Sequence, residues 1–213
     1  MERYLEDQSI SESEIKVALR KAVITMEIFP VLCGSALKNK GVHHLLDAIV
    51  DYLPSPLEVP PIEGKDLQGN KITRRSSGEE PLSALVFKVV TDEHVGRLVY
   101  VRVYSGTLET GGKVLNVSVN RNQRVGRLLK MHADERKEIK IARPGDIVAV
   151  VGLKNIATGN TLCSIGNEIL LESISFPDPV LSVALEAQSR SEQDKLGIAL
   201  SKLLEEDPTL KSE

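Results

Sequence analysis

The sequence predicts an α+β chain of several domains: a helix-rich opening, an all-β middle, and a short strand-plus-helix ending. Three observations predict it. The hydrophobic period is helical between Ile15 and Leu53, becomes two from Leu82 to Cys163, and is helical again after Ser189. Prolines cluster where the period changes, at Pro54-Ser55-Pro56, Pro60-Pro61 and Pro177-Asp178-Pro179. A proline pushes the residue before it out of the α region, so these stretches read as linkers. The resulting divisions are 1–56, a first α/β segment; 57–81, a linker or exposed loop; 82–174, a β-barrel; and 175–213, the incomplete start of a third domain.

In the first segment, Ser11-Glu12-Ser13-Glu14 fits a capping box, and Ile15, Ala18, Leu19, Ala22 and Val23 form one apolar helical face. Ile28 to Cys33 is a short apolar run expected to be a buried strand, and Gly34 to Gly41 a polar turn. Val42, Leu45, Leu46, Ile49, Val50 and Leu53 repeat the helical period until Pro54 stops it. Residues 63–81, with three glycines, Arg74 and Arg75, are expected as an exposed loop or hairpin outside the core.

The middle alternates. Leu82 to Val90 and Gly96 to Tyr104 are expected strands, followed by Lys113 to Val119, Arg124 to Met131 and Ile147 to Leu153. Ser105-Gly106, Gly111-Gly112 and Arg143-Pro144-Gly145-Asp146 supply the turns. Short strands with regular turn signals read as a closed or nearly closed barrel. After it, Val180 to Ala187 alternates like a strand. Ser189-Arg190-Ser191-Glu192 fits a second capping box, and Leu196, Ala199, Leu200, Leu203 and Leu204 line a helix that Pro208 ends. One strand and one helix cannot bury their own apolar faces, so the chain is expected to be cut from a longer protein at Glu213. Sparse burial predicts that residues 1–12 and 205–213 are mobile.

No run of 18 apolar residues occurs, so no membrane-spanning helix is expected, and Met1 to Asp7 lacks the apolar stretch of a signal peptide. Cys33 and Cys163 are expected to be reduced thiols in a cytosolic protein. The net charge of −3 is segregated: residues 1–82 carry −3, residues 83–172 carry +4, and residues 173–213 carry −4. Within the middle, Arg121, Arg124, Arg127, Lys130, Arg136, Lys137, Lys140 and Arg143 stand against three acids in a stretch without Phe, Tyr or Trp. Such a stretch binds RNA through phosphates and shape, with strong salt dependence and no base stacking, or else is a solvated sheet face.

The loop Cys33-Gly34-Ser35-Ala36-Leu37-Lys38-Asn39-Lys40-Gly41 lies after the expected strand and before a helix, where α/β folds bind ligands. Small side chains there allow close approach to the main chain. A plain strand-to-helix connection is the alternative. The loop resembles the fifth motif of GTPases, and its longer form resembles elongation factor G and close relatives. Leu45 to Pro56 is similar to the last helix of that family's GTP-binding domain. Tyr104-Ser105-Gly106-Thr107-Leu108, Arg124 to Ala133 and Gly145 to Leu153 resemble its second domain. Phe176 to Val180 and Glu205 to Thr209 resemble the start of its third. The family usually has Asp where Asn160 stands, a change expected to be tolerated because Asn and Asp share turn chemistry.

The resemblance implies an α/β remnant of a GTPase domain, a translation-factor-type β-barrel, and a partial ferredoxin-like βα unit. It implies that Ser35, Ala36 and Leu37 complete a guanine pocket, and that the barrel's cations face ribosomal RNA. The longer protein would be a cytoplasmic, ribosome-dependent GTPase promoting tRNA–mRNA translocation, using GTP and Mg2+. Its partners would be rRNA, ribosomal proteins and, indirectly, the tRNA–mRNA complex, with the protein acting as a monomer. Release-factor and ribosomal-protection GTPases share this architecture, and a self-standing RNA-binding barrel is the alternative from another class. The chain has no G-x-x-x-x-G-K-[ST] loop, so no catalytic residue, no bound nucleotide and no hydrolysis by itself are expected. Asn39-Lys40-Gly41-Val42 lacks the Asp of the guanine-specifying motif. His43 and His44 are adjacent, so they do not form a metal pair, and Cys33 reads as a buried strand-end thiol before a nucleophile.

Overall fold

The structure is a computed structural model that describes residues 9–92, 95–133, 135–172, 174, 176–187 and 189–212. It is mixed α+β and contains two compact units, Met1–Pro60 and Pro61–Glu213.

In the first unit, helix α1 (Glu12–Ile24) begins at the expected capping box. The Ser11 amide donates to Glu14 Oε2 at 2.9 Å, and Ser11 Oγ accepts from the Glu14 amide at 3.4 Å. Two of the helix's orphan donors are satisfied in this way. Helix α2 (Val42–Tyr52) packs on α1 and stops at Leu53, whose extended backbone is what Pro54 requires. Arg20 of α1 joins the helices: its guanidinium donates to the Asp51 carbonyl at 2.7 Å and to both Glu58 carboxylate oxygens at 2.8 Å. Arg20, helped by the Ser55 amide, lowers the Glu58 carboxyl to about 2.

The strand expected over Ile28 to Cys33 does not form. Among the described residues of this unit the only β-pairing is a bridge between Ser35 and Lys40. Without a neighbouring strand the apolar run gains no ladder, and Phe29 and Val31 are 76% and 90% exposed. Cys33 is therefore exposed, contrary to the buried strand-end reading.

The second unit opens with a hairpin inside the stretch expected as linker or exposed loop. Strands β1 (Ile62–Lys65) and β2 (Lys71–Arg74) pair antiparallel, and β1 also pairs with β13 (Leu170–Leu171). Asp66 holds the turn by accepting the Gln68 and Asn70 amides at 2.9 and 2.8 Å. Ile62 and Ile72 pack on Leu115, Val117, Cys163, Ile169 and Leu171, so part of the stretch belongs to the core. Gly64 permits this approach, since a Cβ there would lie 2.7 Å from the Leu170 carbonyl oxygen.

The main sheet is antiparallel and eight-stranded. Its strands in chain order are β3 (Ser83–Asp92), β4 (Gly96–Ser105), β6 (Lys113–Asn116), β7 (Arg121–Arg124), β8 (Arg127–His132), β9 (Glu135–Ile139), β11 (Ile147–Val151) and β12 (Thr161–Cys163). Their spatial order is β7-β6-β12-β3-β4-β11-β8-β9. The short strands β5 (Leu108–Glu109) and β10 (Ile141–Ala142) pair separately. One buried cluster gathers Val86 of β3, Val101 of β4, Val114 of β6, Leu128 of β8, Val150 of β11 and Leu162 of β12. Residues from strands so far apart in the order meet only if the sheet curls around them. The outer face is also covered: Leu98, Leu129 and Ala149 form a second cluster, and the β1–β2–β13 sheet covers a third. Adjacent Leu128 and Leu129 are thus both buried, on opposite faces.

The buried hydroxyls of Ser83 and Ser105 are satisfied. Ser105 Oγ donates to the Pro81 carbonyl at 2.7 Å, which leaves Ser83 Oγ to donate to Ser105 Oγ at 2.7 Å. Asn160 uses only acceptor chemistry that Asp shares: its Oδ1 accepts from Asn116 Nδ2 at 2.9 Å and from the Ala157 amide at 3.1 Å. This supports the expectation that the change is tolerated.

Two expectations fail near the end. Val180 to Ala187 forms no strand, and Val180, Leu181, Val183 and Leu185 are exposed, again for want of a paired neighbour. Helix α3 (Arg190–Glu206) has Ser189 as N-cap, but the Ser189 side chain makes no capping bond; its carbonyl accepts the Glu192 and Gln193 amides. Of the ends expected to be mobile, residues 1–8 and 213 lie outside the described residues. Ser11 caps α1, and Glu205 and Glu206 are bonded to the sheet.

Candidate functional site

The loop from Cys33 to Gly41 is closed by its own backbone. Ser35 and Lys40 exchange two hydrogen bonds, at 2.9 and 3.0 Å, and the Asn39 amide donates to the Ala36 carbonyl at 3.0 Å. The Lys38 amide reaches Ser35 Oγ at 3.4 Å. Gly41 is needed at the closing corner: its φ is +77°, and a Cβ there would lie 2.9 Å from the Cys33 carbonyl oxygen. This accounting leaves the amides of Ala36 and Leu37 without a partner among the described residues. Both residues are exposed, Leu37 at 97%. Ser35 therefore shapes the loop, while Ala36 and Leu37 present two free donors.

The eight cations expected to bind RNA are spread over three strands and the residues flanking a fourth. Arg121 and Arg124 lie on β7, at one end of the main sheet. Arg127 and Lys130 lie on β8, and Arg136 and Lys137 on β9, at the other end. Lys140 and Arg143 flank β10. The break comes at Val125-Gly126, where the chain leaves β6's neighbour and joins β11. A Cβ on Gly126 would fall on the Val151 carbonyl oxygen, so this crossing needs glycine.

The sheet also sorts the cations by partner. Arg136 makes a two-pronged ion pair with Asp92, at 3.1 and 2.7 Å, and is withdrawn from other anions. Lys130 approaches Asp146 only at 3.9 Å. The other six have no ion pair among the described residues. Lys130 faces Lys137 directly across the β8–β9 ladder. Arg124 likewise faces Lys113 across β6–β7. Like charges directly opposite destabilise a sheet, so each pair is a place where an anion would be favourable. Lys113 was not legible as a candidate, because it lies outside the basic stretch; only the register brings it beside Arg124.

Residues 81–165 match the family model described as elongation factor G domain 2, and residues 176–213 match that described as elongation factor G, domain III. A crystal structure of a protein from Thermus thermophilus is similar at 30% identity with a TM-score of 0.76. The similarity covers 100% of this chain and 30% of that one, so the chain spans under a third of that protein's length.

Proposed function

We infer from membership of the elongation factor G family, to which this chain belongs, that it is part of a ribosome-dependent GTPase promoting tRNA–mRNA translocation in protein synthesis. The observation that carries the reading is the succession of two matched domains, 81–165 and 176–213, in one chain. Residues 1–56 are then the end of the GTP-binding domain, 82–174 the second-domain barrel, and 175–213 the start of the third domain.

The guanine of GTP fits the first loop. The free Ala36 and Leu37 amides are suited to donate to the base's O6 oxygen, with Ser35 holding the turn. The triphosphate and Mg2+ do not fit this chain, which has no phosphate-binding loop. Hydrolysis is accordingly assigned to the longer protein, and the role of these residues is to recognise the base and to transmit force.

The curled sheet would hold ribosomal RNA. Arginine and lysine neutralise phosphates and release counterions, which gives affinity that falls steeply with salt. Lys130 with Lys137, and Lys113 with Arg124, are the pairs best placed for this. The protein is read as a cytoplasmic monomer with rRNA and ribosomal proteins as partners, and with tRNA–mRNA moved indirectly.

Pelleting of the 213-residue chain with ribosomes tests this. Binding should be present in low salt and fall log-linearly as salt rises. Replacing Lys130 and Lys137 by Glu should abolish it without unfolding the sheet. Binding that ignores both salt and these charges would defeat the reading.

A further inference from the structure

Helix α3 carries charges that disfavour its own last turn. Glu205 and Glu206 end the helix, and no basic residue lies in that turn. The C-terminal end of a helix is negative, so carboxylates there are repelled. Its apolar anchorage is narrow as well. Leu196, Leu200 and Leu204 are half-buried, whereas Ile198 and Leu203 are 61% and 48% exposed. Two polar contacts offset these weaknesses. Arg97 of β4 forms an ion pair with Glu205, and the Thr91 amide of β3 donates to Glu206 Oε1 at 2.6 Å. Thr91 and Arg97 are register partners, so both contacts come from one point of one hairpin. The same hairpin holds Asp92, the partner of Arg136 on β9.

We infer that Arg97 and the Thr91 amide form a charge latch that docks α3 on the β3–β4 hairpin, and that the last turns of α3 hold their shape only while docked. The latch joins the first and second matched regions, 81–165 and 176–213, and makes their attachment reversible. With Arg97 and Glu205 side chains 24% and 45% exposed, the pair is open to screening by salt. Release exposes the two carboxylates to the helix's negative end, so undocking and fraying of the last turns occur together.

Amide hydrogen exchange on the full 213-residue chain tests this. In Arg97→Ala, exchange over residues 200–206 should accelerate at least tenfold while β4 and β11 keep their protection. The charge-swapped Arg97→Glu, Glu205→Arg variant should restore most of it. If Arg97→Ala loosens the sheet itself, Arg97→Gln removes the charge while keeping most of the side chain's length, leaves the helix carboxylates in place, and should give the same acceleration. Exchange within twofold of the unaltered chain in the Arg97→Gln variant would overturn the proposal. So would acceleration that the swap does not reverse, since the contact would then be packing and not charge.

Discussion

Replacing Leu128 by Ala probes the position on which the curled sheet depends. Leu128 is 0% exposed and lies in the inner cluster with residues of five other strands of the main sheet. The change removes three carbon groups, about 2.4 kcal/mol at roughly 0.8 kcal/mol each. The cavity left in a tightly packed centre raises the total to about 3–4 kcal/mol, within the range of measured Leu→Ala changes. For a unit of roughly 150 residues each kcal/mol lowers Tm by about 2–4 °C, so a fall of roughly 6–16 °C is expected. Leu170, 38% exposed on β13, serves as control, and its change to Ala should cost under about 1 kcal/mol. Thermal unfolding followed by far-ultraviolet circular dichroism reads both. Equal shifts for the two variants, or a Leu128 shift below about 3 °C, would refute the inner-cluster account.

Three further outcomes follow from the geometry. Glu58 is held at about 2 against an ordinary 4.5, so its contribution is present above pH 4.5 and is lost as pH falls toward 2; acid titration over that window should loosen the contact between α1 and α2, and Glu58→Gln should flatten the response, as read by exchange of the α1 amides. Cys33 is exposed while Cys163 is fully buried, with burial raising its thiol, so a thiol reagent should label one cysteine within minutes and the second only on unfolding. Lys137→Ala should reduce the log–log salt slope of RNA binding by about 0.7–0.9, whereas Arg136→Ala should change it far less because Asp92 already holds that guanidinium.

The local signals in the sequence were legible where local chemistry decides. The Ser11–Glu14 capping box, the end of α2 before Pro54, and strands β3, β4 and β11 follow from residue spacing within single elements. What failed depends on partners elsewhere. Ile28 to Cys33 and Val180 to Ala187 have strand composition, but composition without a neighbour makes no ladder. Ser189 has cap chemistry, yet its backbone carbonyl satisfies the first amides instead. The run Arg124 to Met131 reads as one strand but is two, because Gly126 lets the chain cross beside Val151.

The candidate site shows the same limit. The cations between Arg121 and Arg143 are contiguous in sequence, yet β7 and β9 occupy opposite ends of the strand order. Only the ladder register reveals that Lys130 meets Lys137 and that Arg124 meets Lys113. Only the side-chain geometry reveals that Arg136 is taken by Asp92. The loop Ser35-Ala36-Leu37 was legible as a motif, but the free amides of Ala36 and Leu37 emerge from counting the loop's hydrogen bonds.

The most direct test of the account is the size and location of the native product. A source-cell lysate is fractionated on a sucrose gradient in low salt and blotted with an antibody raised against this chain. The account predicts a band about threefold larger than 23.3 kDa, in the ribosome fractions and released from them by salt. A band near 23.3 kDa that stays clear of ribosomes would contradict it.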